Sequence, residues 1–287
     1  MKTKLTWARL ALLAFFCLTL QNNINAQVTL ASLTEAYNAA IKGSNEEPEA
    51  ALPKIEAVIE QAQELGAEGN EILGLAQAKL PTLNYKVAYN MYKAKDYNGA
   101  IEGFTKALDV ATEQGNENVA KKSKNVLSKL YYREGSGLIK EKDYEGALAL
   151  FQRSQEMNPE YGKAYFGLAR AYRYLGDMDN MIANTDIALE KGDDKTKTNA
   201  IKNIANFFYK KAQALNKKGD HQGALSMVAR ATSYDKEGDQ SRYHFQTGKA
   251  KAGLGNTDEA CAAYKLVTNE KLVEAAKYEI EHTLQCQ

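Results

Sequence analysis

A chain of 287 residues can bury a substantial core in one large domain or two ordinary ones. With 37 basic against 36 acidic residues it is almost neutral, so nothing draws it generally to nucleic acid or anionic lipid, and no nucleic-acid partner is expected. Only four prolines occur, three of them before Asn84, and Ala, Leu, Lys, Glu, Gln and Tyr dominate the rest of the chain, which excludes a sheet-rich architecture and favours helix almost throughout.

Residues 1–26 form a segment of their own. Lys2, Lys4 and Arg9 precede an apolar stretch over 10–20, and a polar segment then ends at Ala26. This is the pattern of a cleavable secretory signal peptide, and it predicts an exported protein, periplasmic or secreted. An uncleaved membrane anchor is the other reading, but the apolar stretch falls short of the ~20 residues that span a bilayer. Cys17 follows Phe15 and Phe16 rather than a small-residue lipobox, which argues against lipid attachment. Removal of the segment leaves 34 basic and 36 acidic residues, a net charge of −2, and takes away Trp7, the only tryptophan. No later stretch is apolar enough to cross a membrane, so no transmembrane segment is expected in the mature chain.

Residues 27–80 read as N-terminal helices. Within them 33–66, with Ala51, Ile55 and Val58, looks like a degenerate copy of a unit that recurs over 81–268. Pro81 is expected to break or kink the helix that leads to Tyr85. The first clear copy then has Ala88 and Met91, a turn at Lys95-Asp96-Tyr97, and Ala100, Phe104 and Ala107. The second has Tyr131, Gly135 and Leu138, the turn Lys142-Asp143-Tyr144, then Ala147, Phe151 and Ser154, with Pro159 closing the unit. In the third, Tyr165, Leu168, Ala169 and Tyr172 share one helical face; Leu175-Gly176-Asp177 interrupts; Ile182, Thr185, Ala188 and Leu189 continue inward. Gly176 can take the left-handed conformation that ends a helix, and Asp177 can cap the next. The fourth runs from Phe208, Ala212 and Leu215 through Lys218-Gly219-Asp220 to Ala224, Val228 and Ala231. The fifth has Gly248, the turn Leu254-Gly255-Asn256, and Ala260, Tyr264 and Val267.

Taken together these residues resemble the tetratricopeptide repeat family, whose unit pairs an aromatic-small-aromatic helix with an Ala-aromatic-Ala helix. The resemblance covers about 84–267. It implies an all-α protein, a tetratricopeptide-type α-solenoid of antiparallel helix pairs. The family's opening tryptophan slot is held here by Asn84, Tyr131, Tyr165, Phe208 and His244, and Lys251 stands where an aromatic is expected. Steps between the second-helix markers Ala100, Ala147, Met181, Ala224 and Ala260 are 47, 34, 43 and 36 residues, against a family period of ~34. The surplus falls in 116–129 and 196–204, which are free of proline, and is expected as extra turns on the following first helix. Residues 269–287 form a capping helix: Leu272, Val273, Ala276, Ile280 and Leu284 face one way and charged residues the other.

Two cysteines lie beyond the signal segment, Cys261 and Cys286. An oxidising compartment permits a disulfide. Simple hairpin pairing, however, sets Cys261 opposite 276–278, so a bridge requires the tail after Glu281 to fold back; free thiols are the alternative.

The three histidines are dispersed, and no metal-ligand spacing, nucleophile elbow, phosphate loop or dinucleotide fingerprint occurs. His221 is expected in a solvated turn and His244 in a packing slot. No enzyme activity, metal or cofactor is expected.

The resemblance implies that first helices line a concave face. The residues just after the opening slots are Tyr85, Tyr132, Phe166, Tyr209 and Phe245. One turn further come Tyr89, Ser136, Arg170, Gln213 and Lys249, and beyond them Tyr92, Lys140, Arg173 and Lys217. An aromatic ladder with basic neighbours suits an extended protein or peptide segment, particularly an acidic one. Packing between repeats is the competing role for each ring; Tyr89 and Arg170 occupy a slot that usually faces solvent. The family's clamp for a C-terminal carboxylate expects Lys and Asn where Tyr85 and Tyr89 stand, so that partner is not implied. The expected function is an exported protein-interaction scaffold, with a glycan- or small-ligand-binding envelope protein as the rival.

Overall fold

The structure, a computed structural model, describes residues 28–286, so the predicted signal peptide lies outside the described residues. Among the described residues there is no strand. The described residues form two compact units, divided between Ser123 and Lys124.

In the first unit α1 (Leu30–Ile41) and α2 (Pro48–Leu65) are followed by a 3-10 turn (Gly66–Gly69), α3 (Asn70–Lys93), α4 (Tyr97–Glu113) and the beginning of α5 (Glu117–Glu141). Thr29 caps α1 through a capping box with Ser32, satisfying two otherwise unpaired N–H groups. Leu33, Ile55, Val58, Ala62, Ile72 and Leu83 build the core between α1, α2 and α3. Pro81 neither ends nor precedes a helix: α3 runs through it to Lys93. The missing N–H costs one intrahelical hydrogen bond, but Pro81 is buried and α3 packs against α2 and α4, which hold it continuous.

The second unit contains the rest of α5, then α6 (Tyr144–Met157), α7 (Gly162–Leu175), α8 (Met178–Lys191), α9 (Asp194–Lys218), α10 (His221–Tyr234), α11 (Ser241–Gly253), α12 (Thr257–Lys265) and α13 (Glu270–Tyr278), with a π turn at Glu279–Thr283. Helices α5 and α9 have 25 residues each, so the surplus in the long repeats does lengthen first helices.

The hairpin turns arise from local chemistry. Asp96, Asp143 and Asp220 each sit at the N-cap of a second helix and accept a hydrogen bond from the N–H of the glycine three residues on, at 2.9–3.0 Å. A Cβ there would lie 2.3–2.4 Å from the capping carboxylate as it is placed, so a larger residue requires the Asp side chain to shift. Asp177 caps α8 in the same way through Asn180, at 3.0 Å. The residue before each of these caps has positive φ: Gly176 (82°) and Gly219 (83°), but also Lys95 (65°) and Lys142 (67°), where an L side chain is strained.

Close helix approach depends on small residues. Phe151 is fully buried, wedged between Gly135 of α5 and Gly167 of α7, where an added Cβ would lie 2.9 and 2.4 Å from its ring. Phe104 is likewise fully buried and Tyr165 only 6 % exposed. Removal of such a ring costs about 3–5 kcal/mol. Helices α5 and α6 are also pinned by a reciprocal pair: Ser128 Oγ donates to the Ser154 carbonyl and Ser154 Oγ to that of Ser128, both at 2.7 Å.

At the C-terminus Leu272, Ala276, Ile280 and Leu284 cover a cluster of Phe245, Ala260, Tyr264 and Val267. The π turn redirects the tail after α13, and Cys286 is bonded to Cys261 with Cα atoms 5.9 Å apart.

Candidate functional site

The first-helix residues singled out in the sequence fall into two groups, one in each unit. In the second unit Phe166 and Arg170 are one turn apart on α7, and the guanidinium lies 5.7 Å from the ring centroid. Both are half-buried. Arg173 covers Tyr174 at 5.6 Å, and Tyr174 stacks on Tyr144 with centroids 4.5 Å apart. Tyr132 is occupied by packing, meeting Phe151 and Tyr161. On α9, Gln213 Nε2 donates to Tyr209 Oη at 2.9 Å, and Tyr209 packs edge-on to Tyr243. Lys140 and Lys217 are exposed.

Beyond Gln213 the face deepens into a polar cleft of about 450 Å³. Helix α9 contributes Gln213, Asn216 and Lys217, α11 contributes Gln246, Lys249 and Ala252, and His221, Tyr264 and Glu279 complete the wall. Asn216 Nδ2 donates to the Gln246 carbonyl at 3.0 Å and to its side-chain oxygen at 3.1 Å, fixing both amides. Lys249 Nζ lies 5.4 Å from the Phe245 ring centroid. Burial, and then the negative charge of Glu279, push the Tyr264 hydroxyl well above the usual phenol range.

In the first unit Tyr85, Tyr89 and Tyr92 form a row along α3, with centroids 6.2 and 6.1 Å apart. Tyr85 is anchored edge-on against Phe104, whereas Tyr89 is 42 % exposed with Lys93 Nζ 5.4 Å from its centroid. Among the described residues no group of three or more His, Cys, Asp and Glu side chains could hold a metal, and no helix is long and apolar enough to cross a membrane.

The family model described as tetratricopeptide repeat matches residues 138–179, which span the end of α5, all of α6 and α7, and the cap of α8. Residues 138–179 are thus a tetratricopeptide repeat. Among curated proteins, none matches the chain. Similar solved structures include YrrB, a TPR protein with an unusual peptide-binding site (16 % identity, 70 % of this chain and 88 % of that one, TM-score 0.35). A second is the TPR2AB domain of yeast Sti1 in complex with an HSP90 peptide (21 %, 76 % and 85 %, 0.31). A third is a tetratricopeptide repeat protein from Parabacteroides merdae (14 %, 84 % and 97 %, 0.28). At such values they carry nothing about a site.

Two arrangements in the second unit escape sequence reading. His221 is not a solvated turn residue: it opens α10 half-buried, its Nδ1 3.2 Å from Asn216 Oδ1 and its ring over Gly253, where a Cβ would meet Nε2 at 2.1 Å. Arg242 ties α11 to its neighbours, contacting Asn206 Oδ1 at 2.6 Å and Asp235 Oδ2 at 2.9 Å, with Tyr243 Oη donating to the same Asp235 oxygen at 2.7 Å. Nothing local marks Arg242, because its partners come from the two preceding helices. The glycine at 253 is the one local trace of the histidine's position.

Proposed function

We propose that this tetratricopeptide-repeat protein is an exported, non-catalytic interaction scaffold that holds an extended acidic segment of a partner protein along the first helices of its second unit. The observation that carries this reading is the alternation there of rings with cations laid over them, Phe166 with Arg170 and Phe245 with Lys249. Cations held over aromatic faces keep their charge available while losing little side-chain entropy on binding, which suits pairing with carboxylates. Export rests on the charge and hydropathy pattern of residues 1–26, and the cystine in the C-terminal repeat is compatible with an oxidising compartment.

Crosslinking in intact cells followed by affinity isolation is the direct test. A stoichiometric partner should be captured by the parent chain and lost with Arg170→Ala, while the melting curve of the variant is retained. Unchanged capture by that variant removes the first-helix face from the reading. Intact-mass measurement of protein taken from the source cells should show the chain shortened by residues 1–26.

A second reading has its own support. The row of Tyr85, Tyr89 and Tyr92, with Tyr89 exposed, offers stacking surface of the kind that sugar rings use. Quenching of tyrosine emission by an oligosaccharide, abolished by Tyr89→Ala and indifferent to Arg170→Ala, would favour a glycan ligand instead.

A further inference from the structure

The cleft at the end of the second unit has features that packing does not explain. Tyr264 is 1 % exposed and lines the cleft, where its hydroxyl forms no hydrogen bond within the described residues. A phenol hydroxyl at the wall of a cleft with no protein partner is a donor open to a ligand acceptor. Lys217 and Lys249 border the same space, Lys249 lying over the Phe245 ring. The amides of Asn216 and Gln246 are locked to each other, so the wall is already organised. The single carboxylate there is Glu279, carried by a π turn in which no residue is buried. The turn is held by Ile280 and Leu284, packed on the cluster around Tyr264, and by the bond from Cys286 to Cys261. A volume of about 450 Å³ accommodates one long side chain with its adjoining backbone, not a folded surface.

We propose that this cleft is the subsite in which the bound segment places one acidic side chain. Its carboxylate accepts a hydrogen bond from the Tyr264 hydroxyl and is balanced by Lys217 and Lys249. Glu279, held in place by the Cys261–Cys286 bond, weakens the binding of densely acidic segments through like-charge repulsion and so sets specificity. This rests on the peptide-binding reading of the first-helix face and adds to it a position, a set of donors and an opposing charge.

The test uses the full oxidised chain and fluorescein-labelled hexaglutamate with a C-terminal amide, followed by fluorescence anisotropy, with hexaglutamine as control. Hexaglutamate should bind and hexaglutamine should not. Tyr264→Phe, which keeps the ring, and the exposed Lys249→Gln should each weaken binding about tenfold, as expected for a charge-assisted contact. Glu279→Gln should tighten it about threefold or more, while Glu145→Gln on α6, with the same change of net charge, should leave it unchanged. Cys286→Ser should reproduce the effect of Glu279→Gln by freeing the wall. Equal effects of Glu279→Gln and Glu145→Gln would reduce the cleft to bulk charge and overturn the proposal. If binding is lost with Arg170→Ala but survives Lys249→Gln and Tyr264→Phe, the scaffold reading stands and the subsite falls. Absence of any hexaglutamate binding overturns both. Should Tyr264→Phe fold poorly, Lys249→Gln and Glu279→Gln still decide, since they act in opposite directions.

Discussion

Replacing Gly167 by alanine presses on the closest approach between successive repeats. The new Cβ would stand 2.4–2.7 Å from three atoms of the Phe151 ring, where comfortable carbon contacts begin at about 3.5 Å. The ring therefore has to retreat by roughly 1 Å. Its other face is bounded by Gly135, where a Cβ would already be at 2.9 Å, and Phe151 has no exposed surface to move towards. Overpacking of this kind costs about 1–3 kcal/mol, and the gain in helix propensity of Ala over Gly returns up to about 1 kcal/mol. The net expectation is destabilisation by about 1–2 kcal/mol. Gly137, two positions along α5 from Gly135, supplies the comparison: a Cβ there meets nothing within 4 Å. Gly137→Ala should therefore stabilise by about 0.5–1 kcal/mol. Urea unfolding of the full chain, monitored by far-ultraviolet circular dichroism, gives both midpoints. Adding Phe151→Leu to Gly167→Ala should recover part of the loss by making room. If Gly167→Ala raises the midpoint as Gly137→Ala does, Phe151 is not wedged and the helix pairs do not interdigitate as described.

Particular contacts elsewhere in the chain give four further expectations. Hydrogen bonds from Thr196, and then from Lys163, hold the Asp193 carboxyl at about 2, below its ordinary 3.8; because the folded value is depressed, its stabilisation is complete above the ordinary value and is lost as pH falls towards 2. Carbon-detected NMR titration of that carboxyl should show the low midpoint, and Asp193→Asn should remove its share of the acid sensitivity in that window. Lys142→Gly relieves an L residue held at φ 67°, and should raise the urea midpoint by about 1 kcal/mol equivalent. Ser128→Ala removes one of two hydrogen bonds to the Ser154 carbonyl, which Asn158 N–H also serves, so each single serine variant should lose about 1 kcal/mol, and a double-mutant cycle with Ser154→Ala should reveal coupling. Cys286→Ser opens a link spanning 25 residues, and loop-entropy arguments put the loss at about 3 kcal/mol; faster amide exchange confined to α13 and the π turn would report it.

Much of the helical architecture was legible because its determinants are short-range. Asp143 and Gly146 sit three residues apart and make a cap by themselves, and Gly176 ends α7 without help from elsewhere. The recurrence of Phe104 and Phe151 one helix beyond a small residue likewise announces interlocking hairpins. The extra turns on α5 and α9 could be read from the lack of proline in the long intervals. A break at Pro81 did not occur for a complementary reason: propensity prices a missing hydrogen bond but not the packing of α2 and α4 against α3.

The candidate site was less legible. Sequence position singled out Arg170 and Gln213 with Tyr132, yet Tyr132 proves to be taken up by Phe151 and Tyr161, and the cleft around Tyr264 was not anticipated. Its walls come from α9, α10, α11, α12 and the tail, separated by up to sixty-six residues between Gln213 and Glu279.

The amino-acid order alone thus settled helix, turn and repeat, since those depend on backbone conformations and side-chain periods reaching no further than four or five residues. Which rings remain open to solvent, where His221 packs and how the π turn carries Cys286 back to Cys261 were decided only when distant helices came together. Each of those outcomes depends on excluded volume and on hydrogen-bond partners drawn from other elements, and no local pattern encodes them.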